Sequence, residues 1–294
     1  MNRNEGRFGV PGGAEELQID EGTPLPPATA MPTPSSEPFT WVAPTDFVAI
    51  PSGGRFYPAS HPLHDKESVE IRFMTARDED ILTSQALIKQ GVAIDRLLQN
   101  VIVDESIKVG DLLVGDKNAL IIATRITGYG ADYETRATCP SCGNIEKHEF
   151  DLTQQDIDYS PDSALTEYKA RMTENNTFVV YLPTSKVEVE VKLLNGNDES
   201  ALTKEAERKR RRNLGESLLT DQMRKYILAV NGNTAPLVVA QFIHSMPAKD
   251  SRFLRQFYDA VTPSISLEQF FICGECAYSG DVEVPLTADF FWPK

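Results

Sequence analysis

At 294 residues, 41% of them hydrophobic, the chain has enough apolar material for one large core or two smaller ones. Its formal net charge of −14 argues against nucleic acid as the main partner, because phosphate recognition needs a cationic face. No apolar run nears the roughly 18–20 residues of a membrane helix, and "MNRNEGRFGVPGG" has no signal-like stretch, so an intracellular protein without a membrane partner is expected.

Residues 1–46 hold eight of the 19 prolines and almost no periodic apolar pattern. Such a segment buries too little surface to offset its ordering entropy, and reads as a disordered or extended arm. Phe39, Trp41 and Phe47 are the candidate anchors if it orders against a partner, and the ordered chain begins near Phe47. "FVAIPSGGRFYP" is a short strand running into a Pro-Ser-Gly-Gly turn. In "SVEIRFM" (68–74), Val69, Ile71 and Phe73 alternate onto one face of a strand. Thr75 with Asp78 three residues later marks a helix start. The following residues predict two or three short helices broken at Gly91, then a helix through Leu120–Ile126 closed by Gly128 and Gly130. "TFVVYLP" and "KVEVEVKLL" form a hairpin around Pro183-Thr184-Ser185. A charged helix follows from about Asp198. Leu219, Met223, Tyr226, Ile227 and Val230 are helically spaced up to Asn231-Gly232. Phe253, Leu254, Phe257, Tyr258 and Val261 make another helical stripe.

All four cysteines lie in two C-x2-C pairs, Cys139/Cys142 and Cys273/Cys276, which bracket residues 143–272. In a reducing compartment disulfides are unexpected, and this spacing suits metal ligands. A tetrahedral zinc needs thiolates about 3.8 Å apart, with Zn–S near about 2.3 Å. Each pair follows a strand ("YETRAT", "EQFFI"), has a nearby glycine (Gly143, Gly280) and precedes an alternating segment ("IEKHEFDL", "DVEVPL"). That is the layout of two facing β-knuckles, as in a zinc ribbon. The long gap is tolerable because loop-closure cost grows only logarithmically with length. Four cysteines would close the coordination sphere, so the metal, zinc or iron, would be structural. A redox pair and free buried thiols stay open as alternatives.

The expected fold is therefore α+β, with a zinc-ribbon-like pair of knuckles, a helical region before them and a hairpin-plus-helix insertion between them. The segments are 1–46 (arm), 47–150 (strands and helices to the first knuckle), 151–265 (insertion) and 266–294 (second knuckle and C-terminal strand). His61, His64, His148 and His244 are scattered. No nucleophile–base set, "GxSxG", "HExxH" or phosphate loop occurs, so neither an enzyme nor a small-molecule substrate is expected. The basic run "ERKRRR" (207–212) suits a solvated helix C-terminus or an anionic partner. Phe56, Tyr57, Phe290, Phe291 and Trp292 are further candidate partner anchors, since aromatics commonly dominate interfaces. For the last three, closing the knuckle core is an equal alternative.

The strings "IPSGGRFYP", "RFMTARDEDILTSQALIKQG", "GDKNALIIATRITGYGADYETRATCPSCG", "PAKDSRFLRQFYDAV", "FICGEC" and "ADFFWP" resemble the baseplate protein family of T-even-type contractile-tailed bacteriophages. The resemblance covers roughly residues 47–294. It implies a non-catalytic hub or hub-assembly component, other baseplate and tail proteins as partners, and a location in the host cytoplasm during assembly and in the virion tail. A zinc-ribbon nucleic-acid-binding or regulatory factor is the alternative that the knuckles alone would allow.

Overall fold

The computed structural model describes residues 42–158, 161–213, 215, 217–284 and 288–291. Residues 42–294 form one compact unit. Of the predicted arm (1–46), residues 1–41 with Phe39 and Trp41 lie outside the described residues, as does Trp292, while Thr45 and Asp46 already belong to a strand paired with Arg72 and Ile71.

Strand β1 (Thr45–Ala49) pairs antiparallel with β2 (Ser68–Arg72), and Val69 and Ile71 turn inward as their alternation requires. Three short helices follow, α1 (Ala76–Thr83), α2 (Gln85–Lys89) and α3 (Ala93–Val101). The predicted start of α1 is a capping box between Thr75 and Asp78. Asp78 also receives both terminal nitrogens of Arg72, at 2.7 and 2.9 Å, and the Asn100 amide. Burial pushes its carboxyl up, but these donors outweigh burial and hold it near about 2. A carboxyl depressed from its ordinary 3.8 contributes stability that is fully present above that value and is lost as pH falls toward about 2. Asp78→Asn should thus cost about 2 kcal/mol at neutral pH and flatten the acid limb of a denaturation profile between these values.

Helix α4 (Val114–Tyr129) is longer than the predicted Leu120–Ile126 and ends at Gly130. Arg125 interrupts its apolar run and is nevertheless buried. Its Nε donates to the Phe290 carbonyl at 2.7 Å, and its Nη1 and Nη2 donate to the Gly130 and Asp132 carbonyls. One guanidinium thereby ties the end of α4 to the C-terminal turn at 288–291.

The chain then forms a hairpin from β3 (Asp132–Thr138) and β4 (Ile145–Asp151), with Cys139 and Cys142 in its turn. Next come β5 (Asp156–Asp158), α5 (Asp162–Glu167), β6 (Arg171–Met172), β7 (Phe178–Tyr181) and β8 (Glu188–Val191). The β7–β8 hairpin is the predicted one. Its turn is held from outside, since the Thr184 and Ser185 amides donate to Asp250 at 2.9 and 2.7 Å. Helix α6 (Gly196–Arg211) starts in a capping box from Asn195 to Asp198 and ends in the basic run.

The next segment departs from expectation. Helix α7 (Leu218–Tyr226) stops short, and Ile227–Val230 forms strand β9 against β8, with Val189 opposite Val230. The apolar spacing through Val230 fits either structure. The open edge of β8 decides, because it supplies backbone partners to a segment whose Ile and Val favour the pleated conformation. Asn231 and Gly232, both at positive φ, therefore close a strand rather than a helix.

Helices α8 (Pro236–Ser245) and α9 (Ala248–Val261) complete this part. Strand β10 (Ser264–Ser266) returns antiparallel to β5, so the chain leaves and re-enters side by side. A second hairpin, β11 (Glu268–Ile272) and β12 (Ser279–Glu283), carries Cys273 and Cys276 in its turn.

Two apolar clusters result. One gathers β2, α3, α4, both cysteine hairpins, Phe290 and Phe291. The other gathers Phe178, Val189 and Val191 with Met223, Tyr226, Leu254, Phe257 and Val261. Each fully buried side chain of this size contributes about 1.5–3 kcal/mol. The "PSGGRFYP" loop joins the clusters: Tyr57 enters the first, and Phe56 enters the second, with its ring 5.7 Å from Phe178. The loop can turn back this tightly because Gly54 lies at φ +74, where an added Cβ would stand 2.4 Å from the Lys66 nitrogen and 2.5 Å from the Leu63 oxygen.

Candidate metal centre

The two cysteine turns repeat one geometry. Cys139 N donates to Asn144 O and Gly143 N to Cys139 O, at 2.8 and 2.9 Å. In the second turn Cys273 N donates to Tyr278 O and Ala277 N to Cys273 O, at 2.9 and 3.1 Å. The counterpart of Gly143 is thus Ala277, at φ +53, whereas Gly280 lies within β12 and takes no part in the turn.

Three contacts set the hairpins against each other. The Asp151 amide donates to Gln269 Oε1 at 3.0 Å, and Gln269 Nε2 returns a bond to the Asp151 carbonyl at 2.6 Å. The Gly274 amide donates to the Glu146 carboxylate across the gap. Beyond these, Cys139 Sγ lies 3.7 Å from Cys276 Sγ, and Cys142 Sγ 3.7 Å from Cys273 Sγ. All four sulfurs fall within 4.8 Å of one another, so the four cysteines could hold a metal ion. They are the one group of three or more metal-ligating side chains so clustered among the described residues.

The donor set fits a soft, tetrahedral cation. Its cross-hairpin spacing matches the roughly 3.8 Å edge of a zinc–thiolate tetrahedron. Cys139 and Cys273 are buried, while Cys142 and Cys276 are exposed, so the cluster has a closed inner side and a solvent side. Burial pushes the Cys139 thiol up, but the Cys142 and Ser141 amides and the neighbouring sulfurs bring it to about 7. At Cys142 the Asn144 amide pulls down, yet the adjoining sulfurs and burial prevail and hold it at about 12. Neighbouring sulfurs resist ionising together without a cation among them.

The remaining candidate residues have other roles. His148 packs edge-on against Phe150 and Phe271. His61 stacks on Tyr57, His64 bonds to the Tyr57 carbonyl, and His244 bonds to Arg224. Phe56, Tyr57, Phe290 and Phe291 are buried and therefore do not present their rings to a partner in this chain. Phe290 and Phe291 pack edge to face at 5.2 Å and cover the cluster containing both cysteine hairpins, the core-closing alternative.

One site went unread in the sequence. Asp116, fully buried in the first turn of α4, accepts from Ser52 N at 2.9 Å, Ser52 Oγ at 2.6 Å and the Tyr57 hydroxyl at 2.7 Å. The Tyr57 oxygen in turn accepts from Leu113 N. Burial keeps the Asp116 carboxyl above its ordinary range although all three bonds pull it down. This carboxylate physically connects two of the strings that carry the family resemblance, "IPSGGRFYP" and "GDKNALIIATRITGYG".

No helix of the described residues is long and apolar enough to cross a membrane. Neither the curated proteins nor the solved structures contain a match to the chain. A family model described as "T4 bacteriophage base plate protein" matches residues 47–292, from β1 through both cysteine hairpins to the C-terminal aromatic residues. With that match covering most of its length, the chain belongs to the T4 bacteriophage base plate protein family.

Proposed function

We propose that this protein is a non-catalytic component of the hub of a contractile-tail base plate, or of hub assembly, built around a structural zinc. Family membership gives a structural role in a phage base plate, in the virion tail and among other tail proteins. The match over residues 47–292 is the observation that carries the proposal. For the zinc, the support is the meeting of four sulfurs from two distant hairpins.

Cys139, Cys142, Cys273 and Cys276 would hold the ion in a zinc-ribbon arrangement. When bound, it supplies charge neutralisation for the thiolates and a cross-link between the two hairpins. The residues around it fix their alignment: Gln269 and Asp151 set the offset of the strands, and Glu146 secures the second turn. The β5–β10 pair stands at the opposite end of both hairpins from the cysteine turns, where the intervening stretch leaves and rejoins the first core. We read residues 151–265 as the inserted subdomain.

The hub assignment is tested by mass spectrometry of purified virions, isolated base plates and hub subassemblies. Enrichment in hub subassemblies is expected, and recovery only with the outer parts of the base plate would overturn it. Presence in precursors but absence from virions would identify an assembly factor.

A further inference from the structure

We propose that copies of this chain associate head to tail, the outward face of the β11–β12 hairpin on one copy taking the α6–α7 corner of the next. The proposal does not depend on the hub assignment. It rests on two exposed patches of opposite charge, each with its own apolar pair.

The first patch is the hairpin face turned away from the core. Gln269 and Phe271 point inward, which leaves Phe270 and Ile272 outward, 61% and 59% exposed. Around them stand Glu268, Asp281 and Glu283, all exposed. Glu268 lies directly opposite Glu283, and Phe270 opposite Asp281. Like charges placed directly across a strand pair are destabilising, and among the described residues no ion pair relieves these three acids. An apolar pair inside an uncompensated acidic frame suits a cationic surface with an apolar centre.

The second patch has that chemistry. Arg208, Arg210, Arg211 and Arg212 are exposed around the end of α6. Arg208 and Arg211 make only loose 3.5 Å pairs with Glu205 and Glu207, while Arg210 and Arg212 make no ion pair among the described residues. At the start of α7 stand Leu218 and Leu219, 61% and 52% exposed. The chain carries a net charge of −14, and this is its one basic run, so two copies repel generally but attract at this place. Charge complementarity therefore favours a second copy as occupant and sets the orientation. Because the patches differ, the contact is heterologous, and each added copy leaves one of each patch free.

The test is sedimentation velocity of the full chain over a concentration series at low and high salt. The wild type should show concentration-dependent association that salt weakens, as exposed charges are screened beyond about 8 Å at physiological ionic strength. Glu268→Lys/Glu283→Lys and Arg210→Glu/Arg212→Glu should each weaken self-association at least about tenfold. An equimolar mixture of the two variants should associate again, because the unaltered hairpin of one meets the unaltered helix end of the other, and the two reversed faces are also complementary. Recovery in the mixture also shows that neither variant failed to fold. A wild type that stays monomeric at all concentrations, variants that associate like the wild type, or a mixture that stays monomeric would each overturn the proposal. So would a monomeric wild type that captures a basic, apolar segment of another tail protein on the β11–β12 face.

Discussion

Cys273→Ser should abolish stoichiometric zinc binding and destabilise residues 42–294 by about 4 kcal/mol, with a correspondingly lower melting temperature. In small zinc peptides metal binding supplies roughly 10–16 kcal/mol of folding free energy. The effect here is smaller, because the hairpins also rest on Phe150, Phe271 and Val284 in an apolar core. Cys273 is buried, so its replacement adds a packing change to the lost ligand; Cys276 is exposed and adds little. Comparing the two serine variants with and without chelator separates these contributions. If metal binding dominates, Cys276→Ser approaches Cys273→Ser, and chelation of the wild type lowers its melt to the same level. A wild-type melt insensitive to chelator would confine the effect to packing.

Asp116→Asn should cost about 3 kcal/mol at neutral pH with no change in metal content. Three donors, Ser52 N, Ser52 Oγ and the Tyr57 hydroxyl, converge on this buried carboxylate. An asparagine amide offers one acceptor oxygen and two unwanted hydrogens there, which leaves buried donors unsatisfied. Tyr57→Phe removes one donor and also strands the Leu113 amide, at about 2 kcal/mol. Since both act on one network, the double variant should lose less than the two losses added together. Strict additivity in denaturant melts would show that the contacts are not coupled.

The parts legible in the sequence were those whose information is local. C-x2-C spacing and flanking strands pointed to the cysteine hairpins, and the Thr75–Asp78 box marked a helix start within four residues. Parts that depend on distant partners stayed hidden. Ile227–Val230 becomes a strand because β8 lies beside it. Phe56 and Tyr57, next to two glycines, resembled a surface loop; they are buried because Phe178 and Asp116, far along the chain, close over them. Arg125 did carry a signal, a lone cation inside "ALIIATRI", since such a residue must find oxygen partners when buried. Pro236 at the first turn of α8 was likewise a readable helix start.

Native mass spectrometry of the full chain, purified without chelator, tests the central claim that four cysteines from two distant hairpins form one zinc site. The account predicts a mass corresponding to one zinc ion per chain, lost on substitution at either cysteine pair. An unmetallated mass, a disulfide-bonded mass, or zinc retained after substitution at Cys139 and Cys273 would contradict it. Bound iron in place of zinc would preserve the four-thiolate site and correct the metal.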